Sequence, residues 1–190
     1  DPIVGVADAA SAGIRMAHEH IDIRAHSGEH PGMGATDVVP FIPLEGATME
    51  DCIALARQLG ERVGRELQIP VFLYERAATR TDRENLADVR RGEFEGIRDE
   101  ITTNPARKPD FGEARLHPTA GAVVVVARKF LIAYNIFLNT PYDEFATKNA
   151  KVVRFCSGGL PFLKADGFPS LGPATLSIHI TDFIHTPLHR

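Results

Sequence analysis

The chain has 190 residues, 44% hydrophobic and 24% charged, with a formal net charge of −4. These values fit one large or two small globular domains and exclude the basic footprint of a nucleic-acid binder. Two cysteines without a C-x-x-C pair exclude a disulfide framework. With no signal peptide and no apolar run long enough to span a bilayer, the expectation is a cytoplasmic protein with reduced, buried thiols and no membrane partner.

Asp1-Pro2 reads as an N-cap followed by proline at the first helical position, and with no initiator Met it points to a piece of something longer. A helix is predicted over 3–22, where Val6, Ala9, Ala10, Gly13, Ala17 and Ile21 recur at helical spacing. Residues 28–35 hold three glycines and a proline and form a loop. Residues 38–44 are strand-like, but Pro40 and Pro43 confine them to an edge or to the border of a site. Thr48 with Asp51 gives a capping-box analogue for a helix to about residue 67, with Cys52, Leu55, Ala56, Leu59 and Val63 on one face. A short buried strand follows at 70–74.

Residues 82–101 predict two short surface helices, interrupted by Gly92 and Gly96. Residues 104–111 form a loop, and Val123 to Val126 give the strongest β signal in the chain. A second β-like run covers 130–137. Its opening, Phe130 to Asn135, is the expected boundary between two tightly joined lobes. A helix is predicted over 142–155 and strands over 160–164 and 175–184. The last alternates Leu176, Ile178, Ile180 with Ser177, His179, Thr181, as for a sheet with one face in water. Helices and strands mix without a strict βαβ beat, so the predicted class is α+β.

Three segments combine glycine with groups able to do chemistry. In the first, His30 lies beside Glu29 on a loop whose glycines at 28, 32 and 34 let backbone approach a ligand. That suits a general acid or base, and an exposed structural histidine fits the same spacing equally well. His26 and His30 stand four apart, but Gly28 and Pro31 disfavour the helix that zinc spacing would need, so no metal is expected. The second segment is 112–121, with Arg115, His117 and Thr119; a ligand loop and a plain connection both fit. The third, Arg154 to Gly159, reads equally as a glycine-stopped helix end. Ser157 lacks a G-x-S-x-G setting, which removes a serine hydrolase.

Taken together, these segments resemble the formimidoyltransferase family. The matching strings are GEHPGMGATDVVPFIPL, VFLYERAATR, NLADVRRGEFEG, PDFGEARLHPTAGA, ARKFLIAYNIFL, RFCSGGLPFLKADGF and TDFIHTPLHR, in order over nearly the whole chain. The resemblance implies two tightly joined α/β sandwich subdomains, each a mixed sheet with helices on one face. Residues 1–128 would be the N-terminal subdomain, incomplete for want of its first strands, and 129–190 the start of the C-terminal one. The implied activity is transfer of a formimidoyl group from N-formimidoyl-L-glutamate to N5 of tetrahydrofolate, in histidine degradation and one-carbon metabolism. Tetrahydrofolate would be co-substrate, no metal would take part, and the assembly would be a homodimer.

Carried over residue by residue, the resemblance makes His30 the general base and acid. Glu29 and Asp37 are candidates to stabilise the cationic formimidoyl group, and Asp37 alternatively to orient His30. Folate contacts are expected from Gly112, Arg115, His117, Pro118, Thr119 and Gly121, and from Arg154 and Cys156. Arg128 and Lys129 are candidates for substrate carboxylates. Gly32 stands where the family usually has Arg. Val126 stands where Gly is usual, which would narrow the folate cleft or alter a backbone kink. The alternative reading is a non-catalytic folate-binding or interaction protein that retains the family fold.

Overall fold

The computed structural model describes residues 2–26, 32–169 and 172–189, with the backbone alone for 2–4. The chain divides into two compact units, 1–128 and 129–190.

The first unit opens with α1 (Pro2–His20) and then β1 (Asp37–Phe41). Next comes α2 (Met49–Glu66), started by a full capping box: Asp51 N–H donates to Thr48 Oγ1 at 3.1 Å, and Thr48 N–H to Asp51 Oδ2 at 2.9 Å. The expected face of α2, Cys52, Leu55, Ala56, Leu59 and Val63, is buried. The remaining elements are β2 (Val71–Glu75), α3 (Leu86–Val89), α4 (Glu93–Glu100) and β3 (Val123–Ala127). Gly92, with φ 80°, separates α3 from α4, whereas Gly96 lies inside α4 and interrupts nothing. Helical residues on both sides of Gly96 keep its backbone bonds in place, and a single glycine costs a helix only about 1 kcal/mol.

The sheet is parallel, in the order β1-β3-β2. The valine run is its central strand and is buried throughout; each such side chain contributes about 1.5–3 kcal/mol relative to exposure. Pro40 lies on β1, at the edge, where its missing N–H breaks no ladder. The chain crosses from β1 over β3 to β2 and then returns to β3. Two crossovers of one hand running in opposite directions put their helices on opposite faces. Accordingly, Val71, Leu73, Val123 and Val125 pack with α1 and α2, while Phe72, Tyr74, Val124 and Val126 pack with Val89, Phe94, Ile97 and Ile101. Both faces of this sheet are therefore covered.

The second unit contains β4 (Ile132–Phe137), α5 (Asp143–Val153), β5 (Leu163–Phe168) and β6 (Thr175–Ile180). Its sheet is antiparallel, in the order β4-β6-β5. α5 packs on β5 and β6, and its close approach requires Gly167, where a Cβ would stand 2.2 Å from Thr147 N. Leu176, Ile178 and Ile180 are buried as the alternation predicts. β6 stops at Ile180 rather than 184 because Asp182 turns the chain: its Oδ1 accepts Ile184 N–H at 3.1 Å and its carbonyl accepts Thr186 N–H at 3.0 Å. Parallel and antiparallel pairing are therefore segregated by unit within one α+β chain. Among the described residues no helix is long and apolar enough to cross a membrane.

Candidate functional site

Two loops meet at the N-terminal ends of the neighbouring strands β1 and β3. Gly34 and Gly121 form an antiparallel bridge. Ala35 N–H donates to Ala120 O and Ala122 N–H to Met33 O, both at 2.9 Å. The glycines make this approach possible, since a Cβ on Gly34 would stand 1.9 Å from Ala122 O and one on Gly121 2.4 Å from Met33 O. The freedom of Gly34, read from the sequence as room for a ligand, is used by backbone. Gly32 is open: a Cβ there would meet only Asp37, at 3.8 Å from Oδ1.

The second loop is closed on itself. His117 and Gly121 exchange backbone hydrogen bonds of 3.0 Å in both directions. His117 Nδ1 accepts Ala120 N–H at 3.1 Å and Thr119 N–H at 3.4 Å, which requires that nitrogen unprotonated. Burial, then the nearby His18 and Arg115, push the His117 pKa below its ordinary value. His18, in the last turn of α1, meets the His117 ring edge-on at 4.6 Å, and its Nδ1 is buried without a partner among the described residues. Ile23 N–H donates to Thr119 O at 2.9 Å, so the chain leaving α1 also docks on this loop. Pro118 is exposed and Thr119 half-buried.

Asp37 lies at the junction. Its Oδ1 accepts Met33 N–H at 2.9 Å, and its Oδ2 pairs with the Arg90 guanidinium. Glu29, His30 and Gly28 lie outside the described residues, so the contacts expected of them have no counterpart here. What is described is the platform formed by residues 32–37 and 117–122.

The other expected site residues fall in several places. Gly112 has φ 83° and packs on α2, where a Cβ on Gly64 would stand 2.6 Å from Gly112 N. Arg115 is exposed and pairs with Glu113 at 3.5 Å. Arg128 ends the first unit, with its N–H on Phe41 O at 3.1 Å. Tyr74 is pushed up to about 12 by burial and Glu75, with Arg128 and Arg90 opposing the rise. Lys129 starts the second unit and reaches Asp182 at 3.2 Å. Arg154 caps α5, donating from Nε to Ser157 Oγ at 2.9 Å and pairing with Asp166 at 3.3 Å. Cys156 is exposed, contrary to the expectation of two buried thiols; it follows a helix end that turns outward, while Cys52 on the inner face of α2 is buried. Val126 is a core residue in register with Pro40 and Tyr74, and β3 runs through it unbroken.

Sequence reasoning missed three polar groups. Arg83 and Asp110 form a pair 4% and 7% exposed, in which Asp110 also accepts Leu73 N–H at 2.8 Å. Arg90 is the third. None stands at a spacing that marks it, although all lie within or beside the matching strings. Arg83 lines a cavity of about 390 Å³ together with Arg91, Arg107, Asp88 and Glu100. Arg91 pairs with Asp88 at 2.6 Å and Arg107 with Glu100 at 2.8 Å, so these charges neutralise one another. Among the described residues no group of three His, Cys, Asp or Glu side chains is placed to hold a metal ion.

Comparison with known proteins gives a consistent result. The family described as "Formiminotransferase domain, N-terminal subdomain" matches residues 2–128. Glutamate formimidoyltransferase of Streptococcus pyogenes serotype M1 is 42% identical over 187 residues, 97% of this chain and 62% of the relative. The protein of the same name from Thermoplasma acidophilum is 46% identical over 187 residues, 96% of this chain and 61% of its own length. Formimidoyltransferase-cyclodeaminase of Rattus norvegicus is 44% identical over 139 residues, 73% of this chain and 26% of that protein. The chain thus spans about three fifths of the length of the first two relatives.

Proposed function

The chain belongs to the formiminotransferase family, whose N-terminal subdomain it matches over residues 2–128, and from that premise we propose that it serves formimidoyl transfer from N-formimidoyl-L-glutamate to N5 of tetrahydrofolate. The observation that carries the reading is identity of 42% and 46% to two proteins named glutamate formimidoyltransferase, across nearly all of this chain. The setting is cytoplasmic histidine degradation, with the chain acting in a homodimer and without a metal.

The chemistry asks for a proton carrier. N5 attacks the amidine carbon and loses a proton; the tetrahedral intermediate collapses when the glutamate nitrogen gains one and leaves. His30 takes the first proton and delivers the second, which one histidine can do if it titrates near the working pH. Glu29 stabilises the cationic formimidoyl group and the intermediate. The loop 112–121, through Arg115, His117, Pro118 and Thr119, is the folate-contacting element, with Arg154 and Cys156 as its second contact region. Arg128 and Lys129 are the cations for substrate carboxylates. Asp37 already has both oxygens occupied, by Met33 N–H and by Arg90, which suits holding the site better than receiving a proton.

The test is titration of tetrahydrofolate into the purified chain, followed by N-formimidoyl-L-glutamate, with His30→Ala in parallel. Turnover by the chain and its loss in the variant are expected. Full transfer by His30→Ala would sink the assignment, and binding without turnover would select the non-catalytic folate binder.

A further inference from the structure

We infer that Arg90 is a positioning residue for the transfer site, acting through Asp37 on the peptide groups from which residues 28–31 extend. Its catalytic consequence rests on the transferase reading above; its mechanical part rests on geometry alone.

Asp37 occupies a strained conformation. Its φ is 60°, and Val38 N–H donates back to Thr36 O at 2.9 Å, a γ-turn with positive φ at its centre. Such turns are rare and persist only where the surroundings over-determine them. Here the side chain does so: one oxygen holds Met33 N–H and the other the Arg90 guanidinium. The pair is partly shielded, with Arg90 19% and Asp37 26% exposed, so water competes weakly for it.

Arg90 is itself fixed. It is the C-cap of α3, with its N–H on Leu86 O at 2.9 Å. The turn that follows is tight, since a Cβ on Gly92 would stand 2.9 Å from Gly96 Cα. Phe94, in the first turn of α4, donates its N–H to Gly32 O at 3.2 Å. The α3–α4 turn therefore grips this segment twice: at Gly32 O directly, and at Met33 N–H through Arg90 and Asp37. Met33 O is taken by Ala122 N–H. Arg90 Nε is buried without a partner among the described residues. An unanswered buried donor shows a guanidinium placed for its ion pair rather than for its own full solvation. Neighbouring Arg91, 74% exposed and paired with Asp88, has no such duty and serves as the control.

The experiment is amide hydrogen exchange by NMR on the 190-residue chain, comparing wild type with Arg90→Gln, Arg90→Lys, Asp37→Asn and Arg91→Gln. Met33 N–H is expected to exchange at least about tenfold faster in Arg90→Gln and Asp37→Asn, less so in Arg90→Lys, and unchanged in Arg91→Gln. The Val124 and Val125 amides of β3 report that the fold is intact; if Arg90→Gln loses them, Arg90→Lys and Asp37→Asn decide. In transfer assays Arg90→Gln and Asp37→Asn should lose about a hundredfold in kcat with KM little changed, Arg90→Lys less, and Arg91→Gln should keep the wild-type kcat. The Arg90→Gln/Asp37→Asn double variant should be no worse than the worse single one, because both act through one contact. Met33 protected as in wild type, or losses that multiply in the double variant, would overturn the inference. If wild type transfers nothing, the transferase reading fails and Met33 exchange still decides the mechanical claim.

Discussion

The two units solve the problem of polar groups in opposite ways. The first buries charge: Arg83 and Asp110 are 4% and 7% exposed, and Arg90–Asp37 is partly shielded. The second keeps one partner of each pair in water, as in Arg154–Asp166 and Lys129–Asp182, where the more exposed members are 68% and 60% accessible. The architecture accounts for the contrast. A parallel sheet covered on both faces sends its connections across buried surface, so loops such as 104–110 need internal partners. In the second unit, where α5 packs on the antiparallel sheet, one member of each of these two pairs reaches water. Loops are held in both units, by the buried Arg83–Asp110 pair in the first and by the buried Asp182 and Thr186 in the second; what the first unit adds is a cation buried with its partner.

The largest expected effect breaks this contrast most directly. Arg83→Met leaves the Asp110 carboxylate buried and unpaired and should lower the stability of the first unit by about 3–5 kcal/mol. Arg154→Met should cost the second unit less than about 1 kcal/mol. Hydrogen exchange read separately at β3 and β6 amides measures both, and equal losses would erase the distinction.

Glycine substitutions sharpen it at intermediate size. Gly34→Ala drives a Cβ into Ala122 O and should cost about 2 kcal/mol while opening the bridge to Gly121. Gly158, at φ 91° with nothing within 4 Å, carries only the conformational penalty, about 1 kcal/mol on change to Ala. Urea unfolding curves of the two variants rank them; a costlier Gly158→Ala would contradict the packing described.

The smallest effect is on pH. The His117 pKa is lowered from 6.5 by burial, then by His18 and Arg115, so the unfolded chain binds that proton more readily. Its contribution is complete above about 6.5 and is lost as the pH falls through the lower folded value, when protonated Nδ1 no longer accepts from Ala120. In Asp182, burial opposes the shift, but hydrogen bonds from His185 and Lys129 and from the His185 and Ile184 amides hold the pKa down at about 2. That contribution is present above 3.8 and lost only as the pH falls through about 2. On acidification the Ala120 amide should therefore lose protection before the Ile184 amide; the reverse order would refute the assignment.

Much of this was legible locally. The capping box at Thr48, the buried face of α2, the valine strand, the edge strand marked by Pro40 and the alternation of β6 all follow from short-range pattern, because periodicity and capping are properties of a few neighbouring residues. Family membership followed from long matching strings for a similar reason: the order of residues is itself the signal. The end of β6 was less legible, since the Asp182 turn competes with a β-prone sequence and only its hydrogen bonds decide between them.

What the sequence determined by itself, then, was the α+β class, the position of most elements, and a candidate constellation around His30, Asp37 and 112–121. Only the tertiary structure decided what the described residues of that constellation touch. It gave Gly34 and Gly121 to a backbone bridge, Asp37 to Arg90 and Met33, and His117 to its own turn beside His18. The physical reason is separation along the chain: Asp37 and Arg90 lie 53 residues apart, and no local pattern encodes a partner brought in by two crossovers on opposite faces of a sheet.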